Sequence, residues 1–506
     1  MTRSAATSST ASRRRSRPGV VALLTGSLLL LLLSHPLIHG DGVSYLIYLD
    51  SIAGDLDLDL SNQVAAFAPA IVYPYATSPV TGTPVTPFPF GSAYLLAPFY
   101  WLGRALESAI PVLNANTEHF TKIQGQPLAY ALAAMLGAHL FMLATAGLAF
   151  CAARRLAPGW AAGLAAVCCL AGTPLLYYAT VEPLDAHVYG AFALALGLWL
   201  ATRGLANRQD AQSVRIERPS GEWPTALALG LALGLAVLVR WQLLLYALPI
   251  GAATVWQAAR PHPNTATPPT SYERRSSTGA DDRSPIGDRS IARTIGVGLA
   301  FATGLGLYCG LCALYFWRFF GAALIVPNDV ITGRPFVSAP LRYLPQVLFW
   351  WHNGWFSWSP VAVLGLAGLA GIAIVCRGSW RAIALAGLSG IALELALNAS
   401  IDDWYAGWSF GQRRMAEAYP LLVVGAAWLI GRSRFQRLLA GAALLCALYG
   451  AFLLAAHLYY THTSGHPEGG GIVDETSWLL TSPHGPTFLA VFRDRYGPWA
   501  WPRPEP

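Results

Sequence analysis

About eleven apolar runs, each close to the ~20 residues a membrane-crossing helix needs, divide this chain. They lie near residues 19–38, 128–150, 159–178, 187–202, 224–239, 241–258, 293–316, 358–376, 381–398, 416–431 and 437–458. Backbone that crosses lipid must satisfy its own hydrogen bonds, so runs of this length imply helices. Composition agrees: 54% of the residues are hydrophobic and 12% charged, against roughly 25% charged in soluble domains. The expected architecture is therefore an all-α polytopic membrane bundle of about 11 helices, within a range of roughly 10–13.

Charge gives the topology. The arginine clusters Arg154/Arg155, Arg203–Glu222, Arg260–Arg293, Arg377/Arg381 and Arg432/Arg434/Arg437 all fall on one side if eleven runs cross. The bias of basic loops makes that side the cytoplasm. Residues 1–18 are then a cytoplasmic N-terminus, 19–458 the bundle, 39–127 a long first outer loop carrying interfacial helices, and 459–506 an outer tail. The count requires that 88–104, with Pro89 and Pro98, lie along the outer interface without crossing. The segment 259–293, rich in Pro, Ser, Thr and Arg and lacking periodicity, reads as a disordered cytoplasmic loop. The first run has the length of an uncleaved span, not of a signal-peptide core. The net charge of +7 is nearly all arginine, Lys122 being the only lysine, and does not point to nucleic acid. The seven cysteines lie in or beside apolar runs, and Cys309-Gly-Leu-Cys312 has no partner pair, so they read as small core residues. No phosphate-binding glycine motif follows a predicted strand.

In a chain poor in acid, five aspartates crowd into the start of the first outer loop: Asp41, Asp50, Asp55, Asp57 and Asp59. The last four read as a solvated loop. Asp41 stands where the first run ends, and a carboxylate there is costly to desolvate and suits general-base work. Tyr45 and Tyr48 share its face if the segment is helical. Glu182, Asp185 and His187 gather at another run end, where they would bind a divalent metal, orient a phosphate, or serve structure alone. Arg240, at the tip of a tight apolar hairpin, faces outward against the charge bias. It either snorkels or binds an anion. Arg413 and Arg414 break the same bias beside Asp402, Asp403 and Trp404, an arrangement that would contact a ligand or neutralise itself. His352 and Trp355 sit in an aromatic stretch that fits either an interfacial belt or a platform for a sugar ring.

These elements, in this order, resemble the GT-C superfamily of membrane glycosyltransferases. The likeness is to bacterial family-39-like proteins related to protein O-mannosyltransferases and aminoarabinose transferases. It rests on Asp41 with the Tyr-x-x-Tyr and Asp-Leu-Asp-Leu…Asn pattern to Asn62. It also rests on Phe90–Tyr100, on Arg240, on Gly354–Pro360 and on Gly407–Arg414. The resemblance implies inverting transfer of a sugar from a polyprenyl-phosphate donor to a lipid, glycan or protein acceptor. The implied place is the outer face of a bacterial inner membrane, with membrane lipid around the site and no nucleic acid involved. It implies Asp41 as catalytic base, with Arg240, Arg413 and Arg414 on the donor phosphate. Glu182, Asp185 and His187 become a second acid or a metal site, and Tyr45, Tyr48, His352, Trp355, Asp403 and Trp404 contact substrate. No cofactor is fixed by it; Mg or Mn is the candidate metal. Gly42 stands where the family places a second acid. The alternatives from other classes are a transporter or flippase of a lipid-linked saccharide, for which Glu394 inside an apolar run is the one supporting charge, and a non-catalytic subunit of the same fold.

Overall fold

The computed structural model describes residues 34, 38, 40–68, 71, 75–110, 128–213, 222–259, 285–406, 409–463 and 471–481. These are almost wholly helical, and the only sheet among them is a two-stranded antiparallel ribbon, Ala76–Thr77 on Pro84–Val85. The longer helices are α1 (Asp41–Asp50), α2 (Gly91–Ala109), α3 (Leu128–Ala153), α4 (Gly159–Ala171) and, after a short α5 (Leu175–Thr180), α6 (His187–Ser213). They continue as α7 (Glu222–Val239), α8 (Leu244–Ala259), α9 (Pro285–Phe320), α10 (Val361–Val375) and α11 (Ser379–Asn398), then α12 (Tyr419–Arg432), α13 (Gln436–Thr463) and α14 (Gly471–Thr481). Among the described residues five stretches are long and apolar enough to cross a bilayer: Ala131–Ala153, Glu222–Val239, Ile291–Phe320, Ser379–Asn398 and Gln436–Thr461. The chain is an integral membrane protein.

Several expected boundaries shift. The run at 159–178 is two helices, because Gly172 and Pro174 interrupt it and a proline ring cannot continue the hydrogen-bond ladder. The segment 259–293 is not all irregular: α9 begins at Pro285, and 260–284 lie outside the described residues. The tail is likewise partly helical, since α13 runs to Thr463 and α14 follows. The 88–104 segment forms α2, 19 residues long with Pro98 inside it, and α2 is not among the five candidate spans. Of the first run and the N-terminus only Ser34 and Ile38 are described.

Lipid is as apolar as leucine, so helices associate by backbone approach where side chains are small. A Cβ on Gly368 of α10 would lie 1.8 Å from the Gly425 carbonyl oxygen of α12, and one on Gly425 would lie 2.0 Å from the Gly365 oxygen. The helices α7 and α9 touch the same way: a Cβ on Gly230 would meet the Phe301 oxygen at 2.2 Å, and one on Gly304 the Leu227 oxygen at 2.5 Å. Helix α1 is fixed by a buried cluster, which joins its Tyr45, Ile47 and Tyr48 to Phe90 and to Tyr315 and Phe319 of α9. Within it the Tyr48 and Tyr315 hydroxyls are 2.7 Å apart. Asp41 is thus held rigidly at the start of a helix packed on the bundle.

Gly425→Val should lower the stability of the detergent-solubilised protein by about 3 kcal/mol or more, because backbone, not a flexible side chain, opposes the new atoms. Gly147→Val, where a Cβ would meet nothing within 4 Å, is the control. Thermal melting of both variants checks this.

Candidate functional site

Asp41 opens α1, where the helix dipole favours a carboxylate. Its Oδ2 is 2.6 Å from Nη1 of Arg413, and the same nitrogen is 3.9 Å from Oδ2 of Asp185. The two aspartates thus flank one guanidinium. Asp185 comes from the turn Val181–Ala186 between α5 and α6, closed by its N–H donating to the Glu182 carbonyl. A Cβ on Gly42 would lie 3.6 Å from Asp185 Oδ1. The carboxylate that Gly42 does not supply therefore arrives from a distant part of the chain. Burial pushes the Asp185 carboxyl well above the ordinary carboxylate range, and the negative charges of Glu182 and Asp41 push it further. Burial opposes the charge of Arg413, but the negative groups around it, Asp41 first among them, together outweigh burial and hold the guanidinium protonated. Burial likewise raises Tyr45 and Tyr48, both of which face inward on α1.

Arg240 forms a second centre. Chain α7 ends at Val239, and Arg240 is extended before a 3-10 turn, Trp241–Leu243. The break aims its side chain inward, so it does not snorkel. Its Nε is 2.9 Å from Glu417 Oε1 in an ion pair. Its Nη1 lies 3.1 Å from both ring nitrogens of His187, and His187 Nδ1 is 3.0 Å from the same Glu417 oxygen. Behind it, Gln242 donates to Glu394 on α11 at 3.4 Å.

The other expected site residues separate. Glu182 accepts a hydrogen bond from Tyr177 at 2.9 Å, while His187 is engaged by Arg240 and Glu417. With Asp185 turned to Arg413, the three do not converge, and among the described residues no set of three His, Cys, Asp or Glu side chains is arranged to hold a metal. The metal arrangement does not fit these residues. Arg414 is turned away to Asp403, 2.5 Å between Nη2 and Oδ2, so it neutralises its own loop. Trp404 stacks on Tyr343 at 5.6 Å and leans on Trp350 at 4.7 Å. His352 stacks on Trp350. Trp355 is 1% exposed and packs within the core. In the aspartate-rich loop, Asp50 accepts from the Tyr100 hydroxyl at 2.6 Å. Asp55, Asp57 and Asp59 accept from neighbouring Gln63, Ser51 and Ser61. They shape the loop, and are not merely solvated. Glu417 escaped the sequence reading; its only signal was a carboxylate at the mouth of an apolar run.

No family model matches the chain, and no curated protein matches it. Among solved structures the chain is similar to ArnT from Cupriavidus metallidurans bound to undecaprenyl phosphate, at 12% identity and a TM-score of 0.49, over 95% of this chain and 70% of that one. It is similar to the Archaeoglobus fulgidus oligosaccharyltransferase in the apo form, at 14% identity and a TM-score of 0.45, over 97% of this chain and 61% of that one. It is also similar to oligosaccharyltransferase AglB from Archaeoglobus fulgidus in complex with an inhibitory peptide and a dolichol-phosphate, at 14% and 0.41, over 96% and 60%. The chain thus spans about three fifths of the length of the two archaeal proteins.

A carboxyl whose folded pKa is raised keeps its proton in the fold after the unfolded chain has lost it, so its contribution to stability declines as pH rises above the ordinary value of about 4. The Asp185→Asn variant should lose that decline. Its melting temperature should fall less than that of the unaltered protein between mildly acidic and mildly alkaline buffer, as measured by thermal scans across pH.

Proposed function

We propose that this protein is an inverting glycosyltransferase that moves a sugar from a polyprenyl-phosphate donor to a lipid, glycan or protein hydroxyl or amine at the outer face of the membrane. The observation that carries this reading is the close grouping of Asp41, Asp185 and Arg413, in one buried site with Arg240. It combines a candidate base with two fixed cations.

The acceptor gives its proton to Asp41 Oδ and its heteroatom attacks the anomeric carbon. The bond from that carbon to the phosphate oxygen breaks, and the polyprenyl phosphate leaves with the electron pair. A single displacement inverts the anomeric centre. Arg240 is the contact for the leaving phosphate, since fixed positive charge in a site poor in water stabilises charge as it develops. Arg413 orients Asp41 by its ion pair and stays within reach of Asp185. This changes the assignment expected from the motifs, in which Arg413 and Arg414 joined Arg240 on the phosphate. Protonated Asp185 keeps the centre from carrying two adjacent bare carboxylates.

Asp41→Asn should lower transfer by about 10²–10⁴-fold, the usual worth of a positioned general base, in protein that still folds and elutes as a single species, although the stranded Arg413 lowers its melting temperature. The assay is transfer of label from radiolabelled polyprenyl-phosphate sugars into membrane extract. Undiminished transfer would remove Asp41 from the mechanism.

A further inference from the structure

Glu417 is on the 3-10 turn Arg413–Ala418, which delivers one charge of each sign into the site. Arg413 goes to Asp41, and Glu417 goes to Arg240. Both arginines are therefore already paired with carboxylates before any phosphate arrives. The Glu417 pair is built in. Glu417 is 1% exposed, His187 braces it at 3.0 Å, and Gly190 leaves it room: a Cβ there would crowd Leu243 Cδ1 at 3.0 Å, Glu417 Cγ at 3.2 Å and Arg240 Cδ at 3.4 Å. Glu394 lies within electrostatic reach of Arg240, and Oε2 of both Glu394 and Glu417 has no hydrogen-bond partner. Among the described contacts Arg240 Nε faces Glu417 Oε1 as an ion pair, without hydrogen-bond geometry, and Nη1 meets His187, leaving Nη2 for a ligand.

We propose that Glu417 is an affinity-setting counter-charge: it holds Arg240 in place and competes with the polyprenyl phosphate for it, so that the product phosphate is released. The inference rests on the donor reading above. A guanidinium bare in a buried site would bind donor and product alike too tightly, and slow release limits turnover. With Nε already engaged by a carboxylate, the phosphate meets a half-neutralised cation through one free nitrogen, not through a two-pronged fork. Glu417 is in this sense a positioning residue, acting through Arg240 and not on the reacting atoms.

The test is equilibrium binding of radiolabelled undecaprenyl phosphate to the purified full-length protein in nanodiscs. Glu417→Gln keeps the size and shape of the side chain and removes the charge. It should bind about tenfold more tightly, the scale expected for deleting one nearby charge in a partly buried site. With a donor that turns over, it should lower both KM and kcat and strengthen product inhibition. Arg240→Gln should weaken binding, and Glu417→Gln added to Arg240→Gln should tighten nothing. A purely structural role would weaken binding. If Glu417→Gln does not fold, Glu417→Asp draws the charge back from Nε and should tighten binding in the same direction by a smaller factor. Unchanged or weaker binding by the folded variant, or equal tightening without Arg240, would overturn the inference while leaving the donor reading in place. Absence of binding by the unaltered protein would overturn the donor reading, and the inference with it.

Discussion

The ion pair between Asp41 and Arg413 is the contact on which the arrangement of the site depends. Two charges withdrawn from water at the edge of a membrane bundle cost several kcal/mol each unless they meet in good geometry, and here they meet at 2.6 Å. That pairing ties the start of α1, which carries Asp41, to the turn before α12, which carries Arg413. The same turn carries Glu417 to Arg240 at the tip of the α7–α8 hairpin. One short segment thus links three parts of the chain through opposite charges, and each link is buried enough that breaking one partner would strand the other.

Around these links the bundle supplies rigidity. Glycine faces let α10 lie against α12 and α7 against α9 at backbone contact, and the aromatic cluster about Tyr48 and Tyr315 clamps α1 onto the end of α9. The result is a carboxylate, Asp41, and two cations, Arg413 and Arg240, held on packed elements.

Much of the candidate site was legible in the sequence through one physical rule. Charges at the ends of apolar runs are costly, so Asp41, Arg240 and Arg413 stood out, as did Glu182, Asp185 and His187 as a group. Partners were not legible, because spacing along a chain says nothing about which run ends meet. Arg414 has the same sequence signature as its neighbour, yet it serves its own loop through Asp403. Trp355 reads as an interfacial aromatic and is core. Glu417 had little to mark it, since its role exists only opposite Arg240.

The sequence by itself determined a helical membrane chain and the few charges that must be accounted for. Those follow from hydrophobic length and the cost of burying charge, both of which are local. The tertiary structure alone decided that Asp185 lies beside Gly42, that Arg413 pairs with Asp41, and that Glu417 stands against Arg240. Each of these is a contact between segments remote in sequence, fixed by helix packing and by the requirement that a buried charge find its opposite.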